Sequence, residues 1–303
     1  MRVRPGEETR RAAWFRNSYA EGVTTLVVSP HLDDAILSLG GTIRRWTRSG
    51  ERVVIATIYT TGPALAEVPA SMRKWADYAA RRAEDAAACA VVGAEPRFLE
   101  RVERAFRRPF LTGTQYFRTP ATRAGFTGLR DVTSAIESLL ELAPDRIVLP
   151  LAIGNHIDHV ETMLAATDCV LERELVPRVV FYEDFYALSN TLRRQHPIAK
   201  TIRFLPWQAP LLRARRLGLM LGRIAAARRG PPLDALLAPP WRTAQWTVEH
   251  SNIEADEAAK LEAIRCYASQ TRAFGGSAGI SRALRAYHQF WGGAEPLWRA
   301  TLR

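Results

Sequence analysis

The chain has 303 residues, 47% of them hydrophobic and 24% charged, with 19 Gly and 18 Pro. That balance belongs to a globular protein long enough to bury a full core, and it excludes collagen-like, disordered and coiled-coil chains. The formal net charge is +11, and most of the excess lies in one place: Phe185 to Arg242 holds eleven Lys/Arg against a single acid, Asp234. Only three of the 42 bases are lysines, Lys74, Lys200 and Lys260. A GC-rich coding genome accounts for arginine over lysine, but not for a segment stripped of acids. Cys89, Cys169 and Cys266 are far apart with no CxxC pair, which excludes a disulfide framework or a cysteine zinc ribbon. The first residues show no apolar signal core, and no stretch is apolar for about 18 residues, so a reduced, cytoplasmic location is the expectation.

In chain order, Thr24–Ser29 is a β-branched run expected to form a strand, followed by a helix over Asp34–Ser49. Arg52–Tyr59 reads as a second buried strand, Met72–Val92 as an Ala-rich helix closed by Gly93, and Arg97–Leu99 as a short strand. Leu129–Leu142 is a helix stopped by Pro144, and the apolar strand Arg146–Leu151 follows. A helix over Ile157–Leu175 and a strand over Arg178–Tyr182 complete the pattern. Continuous Val/Ile/Leu runs alternating with helices imply a parallel sheet covered on both faces. The expected fold is therefore α/β: a Rossmann-like, doubly wound, mostly parallel sheet with a basic insertion and a C-terminal extension. Its parts would be a core over 1–184, a basic lid over 185–242, and strand and helices over 243–303 that pack on the core. In that last part Thr243–Val248 reads as a strand, and Glu254–Ser269 and Ser281–Phe290 as helices. No GxGxxG follows the first strand, which disfavours a dinucleotide site.

Ligands of open α/β sheets bind beyond the carboxyl ends of the strands. Two polar loops occupy such positions: SPHLDD after the first strand, and GNHIDH after the RIVLPL strand. Together they hold His31, His156 and His159, half of the six histidines, interleaved with Asp33, Asp34 and Asp158. Imidazoles and carboxylates suit Zn²⁺ or a similar divalent ion, and a catalytic site needs three ligands with one position left open. His31 and Asp34, three apart at a helix start, can aim at one point, and His159 could complete a His₂Asp set. Asp33 then stands as a carboxylate able to take a proton from bound water. His156 is suited to an oxyanion or a leaving amine, and Asp158 could orient either imidazole. The competing explanation is helix capping, strongest for Asp33 or Asp34 ahead of AILSLGG.

SPHLDDAILSLGG and IGNHIDHVET resemble the two signature loops of the PIG-L/LmbE-like deacetylases, and Arg81-Arg82-Ala83-Glu84 resembles that family's RxxE helix. The resemblance runs from about Leu26 to Asp184. It implies a Rossmann-like fold with one zinc per chain on His31, Asp34 and His159. It also implies Asp33 as general base, His156 as oxyanion stabiliser and Asp158 as its tuning partner. The implied reaction is metal-assisted removal of an N-acyl group, usually acetyl on a 2-amino sugar such as N-acetylglucosamine. Leu32 and Ile157 stand where the family often has Pro, but neither position supplies a ligand. Arg81, Asn155, Glu183 and Asp184 are further candidates for substrate contact: Asn155 neighbours the oxyanion His, and Glu183-Asp184 end a strand. Arg81 and Glu84 could instead be only a surface pair one turn apart.

For the basic segment, a helical projection of LLRARRLGLMLGRIAAARR scatters arginines around most of the circumference, which speaks against a membrane-surface helix. No nucleic-acid motif is present. A lid whose arginines, such as Arg215-Arg216, meet an anionic small-molecule substrate fits its position better, with a solvated insertion as the plain alternative. The expected function is a zinc-dependent N-deacetylase of an amino-sugar conjugate. The alternatives are an amidase of an amino sugar–inositol thiol conjugate, and a non-catalytic ligand-binding or membrane-peripheral module.

Overall fold

In the computed structural model, which describes residues 23–302, seven strands form one sheet: β1 (Thr24–His31), β2 (Arg52–Thr61), β3 (Glu95–Val102), β4 (Arg146–Pro150), β5 (Val179–Tyr182), β6 (Gln245–Asn252) and β7 (Ala294–Thr301). Their order is β3-β2-β1-β4-β5-β7-β6. β1 to β5 are parallel, while β7 runs antiparallel to both β5 and β6. The fold is the expected α/β architecture with a mostly parallel sheet. β1, β4 and β5 are buried nearly throughout, as continuous apolar runs in a sheet with two covered faces should be. The edge strands β3 and β6 are partly or fully exposed along their length, apart from the buried Ser251.

Helices α1 (Asp34–Arg48), α2 (Tyr78–Val92) and α6 (Glu257–Arg265) pack on one another, and α3 (Leu129–Leu140) packs on α4 (Ile157–Glu172). α5 (Arg215–Ala227) and α7 (Gly276–Phe290) complete the longer helices. Several boundaries differ from the sequence reading. α2 starts at Tyr78 rather than Met72, because Asp77 caps it by accepting the Ala80 N–H at 3.1 Å. The Gly40-Gly41 pair in α1 is a close-approach surface: a Cβ on Gly40 would lie 2.8 Å from Lys260 Cγ, and one on Gly41 2.8 Å from Ile253 Cδ1. Larger residues there would push α6 and its preceding turn away from α1.

The C-terminal strands are bound to the core by buried charge. Glu295 on β7 accepts the N–H groups of Gly41 and Thr42 and pairs with Lys260 Nζ at 2.6 Å, all in fully buried surroundings. Among the described residues no helix is long and apolar enough to cross a membrane, and Cys89, Cys169 and Cys266 are free thiols.

The site's position follows from topology. From β1 the chain winds outward through β2 and β3, then returns to β4 on the other side of β1. Loops after β1 and β4 therefore diverge, and β1 pairs with β4 only from Thr25 to Val27. The crevice beyond is the switch point where open α/β sheets take ligands.

Candidate metal centre and active-site cavity

β1 ends at His31, and the turn into α1 holds Asp33 and Asp34. Ser29 Oγ ties this turn by donating to the His31 carbonyl at 2.7 Å and accepting the Ala35 N–H at 3.2 Å. Capping does not explain the aspartates. Asp33 occupies the N-cap position but makes no side-chain capping bond, and its φ of 138° lies in the region L-residues avoid. Such strain persists where the surroundings over-determine it, and it gathers at functional sites. Asp34 turns back instead, accepting the His31 N–H at 2.9 Å.

On the other loop, His159 in the first turn of α4 comes to the same point. His31 Nδ1, Asp34 Oδ2 and His159 Nε2 are mutually 3.1–3.2 Å apart. Ligands placed tetrahedrally around Zn²⁺ at about 2.0–2.1 Å stand roughly 3.3 Å from one another. The donor set is two imidazoles and a carboxylate, so type and spacing both fit a divalent ion. His156 stands beside them, with the ligand nitrogens of all three histidines within 4.8 Å. Its Nδ1, however, accepts the Asp158 N–H at 3.3 Å.

The imidazoles of His31 and His159 are each backed by a buried carboxylate. Asp158 Oδ2 lies 3.2 Å from His31 Nε2, and Asp184 Oδ1 lies 2.6 Å from His159 Nδ1. Both aspartates are fully buried and are themselves held, Asp158 by the Arg104 N–H at 3.0 Å and Asp184 by the Ile153 N–H at 2.9 Å. Burial works against charged imidazoles, yet these acids outweigh it. Glu103, Asp158 and Asp34 hold His31 well above its usual pKa, and Asp34 and Asp184 push His159 up to about 9. Burial also disfavours ionised Asp34, but His159 and His31 keep it far below the ordinary carboxylate range. The crevice is thus a negative field around two imidazoles, the electrostatics a cation needs. Asp33 differs: burial, reinforced by Asp34, raises it well above the carboxylate range against the pull of Arg81. His156 is held low by burial and by His31.

Above these residues lies a cavity of about 580 Å³, whose floor includes His31, Asp33, Asp34 and His156. Its walls are largely aromatic, with Trp75, Phe106, Tyr116, Tyr186 and Phe274. Arg81 lines it while pairing with Glu103 at 2.5 Å, not with Glu84, whose carboxylate instead accepts the Ser269 N–H and hydroxyl. The surface-pair alternative for Arg81 and Glu84 therefore fails.

Asp158 touches both imidazoles, its carboxylate behind His31 and its N–H on His156 Nδ1, but three other sequence expectations need correction. Asp184 is sealed behind His159 and cannot reach substrate. Glu183 is buried too, accepting from Arg193, from Tyr287 Oη at 2.7 Å and from Trp298 Nε1 at 3.0 Å, so it binds β5 to α7 and β7. Asn155 is buried with φ 58°, its amide donating to Thr119 Oγ1 at 3.1 Å outside the cavity lining. Conversely, Glu103 lines the cavity and was missed, although it directly follows β3 and the carboxyl-end rule could have flagged it. From the basic segment, Phe185, Tyr186, Met220, Arg223 and Ile224 reach the cavity; Arg215 and Arg216 do not.

Asp184 carries a testable consequence. Asp184→Asn should keep the fold but lower zinc affinity about 10–100-fold, the usual worth of an outer carboxylate on a ligating His. Chelator competition on wild type and variant checks it; equal affinities would show that His159 needs no such support.

Residues 26–170 match the family model described as PIG-L: GlcNAc-PI de-N-acetylase. Among curated proteins none matches the sequence. Among solved structures, the chain is similar to teicoplanin deacetylase in its zinc-inhibited form, at 20% identity and a TM-score of 0.65 over 93% of this chain and 99% of that one. It is likewise similar to the A40926 pseudoaglycone deacetylase, at 20% identity and a TM-score of 0.62 over 92% and 97%. The N,N'-diacetylchitobiose deacetylase from Pyrococcus horikoshii is more distant, at 14% identity and a TM-score of 0.52 over 99% and 94%. At these identities the structural likeness establishes a shared fold. The family match covers residues 26–170, the segment that carries both loops, and over that segment the chain is similar to the PIG-L (GlcNAc-PI de-N-acetylase) family.

Proposed function

We propose that the chain is a metal-dependent hydrolase that removes an N-acyl group, acetyl foremost, from an amino-sugar conjugate. The observation that carries this reading is the convergence of His31, Asp34 and His159 within 3.2 Å beside the strained, uncapped Asp33 on the floor of the cavity. These three residues would hold one zinc or similar divalent ion. Such an ion supplies Lewis acidity, polarising an amide carbonyl and acidifying water.

The chain's own residues account for the rest. Asp33, whose carboxyl is raised above its usual range by burial and by Asp34, takes the proton of the attacking water. His156 is neutral, and because its Nδ1 accepts the Asp158 N–H, its proton sits on Nε2. That N–H is the donor for the amide oxygen as negative charge grows there. Water adds to the carbonyl carbon, the C–N bond breaks, and the proton on Asp33 passes to the departing amine. Acetate and a free amino sugar result. Asp158 and Asp184 act behind the imidazoles, fixing their orientation.

The family description, and the teicoplanin, A40926 pseudoaglycone and N,N'-diacetylchitobiose deacetylases that share the fold, support this reading. So does the cavity, which at about 580 Å³ falls within the range of small-molecule sites. Its aromatic walls suit a sugar ring joined to an apolar group, while Lys74 and Arg223 offer cationic contacts to an anionic one. We read residues 1–184 as the catalytic core, 185–242 as its cover and 243–303 as an extension of the sheet.

The test is to incubate the zinc-loaded protein with a panel of N-acetylamino-sugar conjugates and to measure free amine and acetate. Equimolar release of both, abolished by chelator and restored by zinc, is expected for at least one. Zinc-loaded protein that releases amine from none would contradict the proposal.

A further inference from the structure

Five large apolar side chains are exposed among the described residues, and four of them, Leu205, Trp207, Leu212 and Leu219, fall in one short stretch. Trp207 and Leu212 are each 72% exposed, values at odds with the plain behaviour of apolar residues in a water-facing loop. Exposed arginines alternate with them: Arg203, Arg213, Arg215 and Arg216. No acid occurs between Asp184 and Asp234. The stretch is three consecutive pieces, helical turns at Pro206–Gln208 and Pro210–Arg213 and then α5, and all three pack on α7. Their outward side chains therefore emerge away from that common support.

This arrangement removes the objection raised by the helical projection. LLRARRLGLMLGRIAAARR is not one helix, since the chain breaks at Ala214, where φ is −141° and ψ 73°. Within α5 alone the two faces separate cleanly. Leu217, Leu221 and Ile224 are buried, while Arg215, Arg216, Leu219 and Arg223 face outward.

We infer that the stretch Arg203–Leu219 docks the protein on an anionic lipid bilayer, with Trp207, Leu212 and Leu219 entering the headgroup region and Arg203, Arg213, Arg215 and Arg216 meeting lipid phosphates. Trp and Leu beside arginine is the composition of interfacial segments: the apolar parts gain by leaving water, and the guanidinium groups find anionic headgroups. Charge decides between occupants. A second copy of the chain docked face to face would oppose this arginine cluster with itself. Nucleic acid would satisfy the arginines but give Leu212 and Leu219 no apolar partner. α5 also reaches the cavity through Met220 and Arg223, so the docked surface adjoins the mouth of the site. The inference stands apart from the hydrolase reading, because vesicle binding requires neither metal nor turnover.

The full chain is tested by co-sedimentation with vesicles of phosphatidylcholine alone and of phosphatidylcholine mixed with phosphatidylglycerol. Binding to the mixed vesicles alone is expected, weakening as salt rises. W207S/L212S/L219S and R215Q/R216Q should each lower the affinity on the order of ten-fold, while zinc content and thermal unfolding stay those of the wild type. The arginine pair should also flatten the salt dependence. The inference is overturned if the wild type ignores mixed vesicles, or if neither variant set weakens binding. It is equally overturned if the apolar variant only converts a dimer into monomers, which would make the patch a contact between copies.

Discussion

Asp33→Asn should retain bound zinc and lose turnover by on the order of 10²–10⁴, the range that a positioned general base contributes. The substitution preserves shape and removes only the ability to accept a proton. Asp33 makes no side-chain capping bond, so the variant breaks no bond that caps α1. Asn matches Asp in size and shape, so the substitution adds no bulk at the strained φ of 138°. The measurement is kcat together with metal content on the same preparation. A variant that loses zinc instead would exchange the assignments of Asp33 and Asp34, and one that keeps full activity would remove Asp33 from the reaction.

His159→Ala should strip the centre of nearly all its metal, a larger loss than the roughly 10–100-fold expected when only an outer carboxylate is removed. The loss has two parts. One of three ligands disappears, and Asp184, fully buried with its Oδ1 2.6 Å from the missing ring, is left with a buried charge facing no imidazole. The second part can also destabilise the fold, so metal content must be read alongside thermal unfolding. His159→Gln keeps a polar group in place and separates the two effects. Full zinc occupancy in folded His159→Ala would remove this residue from the ligand set.

Much of this architecture was legible in the chain itself, for identifiable reasons. The apolar runs that became β1, β4 and β5 are buried on both faces, so their sequence needs no context to be read. His31, Asp34 and His159 could be picked out because topology alone brings the ends of β1 and β4 together. What escaped depends on contacts between distant residues. β7 contains Glu295 and Pro296, which read poorly as a strand, and Glu295 is buried only because Lys260 and the amides of Gly41 and Thr42 receive it. Glu183 and Asp184 looked alike at a strand end. Yet Glu183 binds Arg193, Tyr287 and Trp298, while Asp184, the next residue past the end of β5, pairs with His159. The basic segment misled because a single helical period was laid over a chain that breaks at Ala214.

The central claim is that His31, Asp34 and His159 share one divalent ion. Anomalous scattering at the zinc edge from crystals grown with zinc tests it most directly. The account predicts one strong peak, about 2.0–2.2 Å from His31 Nδ1, an Asp34 carboxylate oxygen and His159 Nε2, with Asp33 and His156 outside that radius. A peak held instead by His156, Asp158 or Glu103, or no peak in this crevice at all, would contradict it.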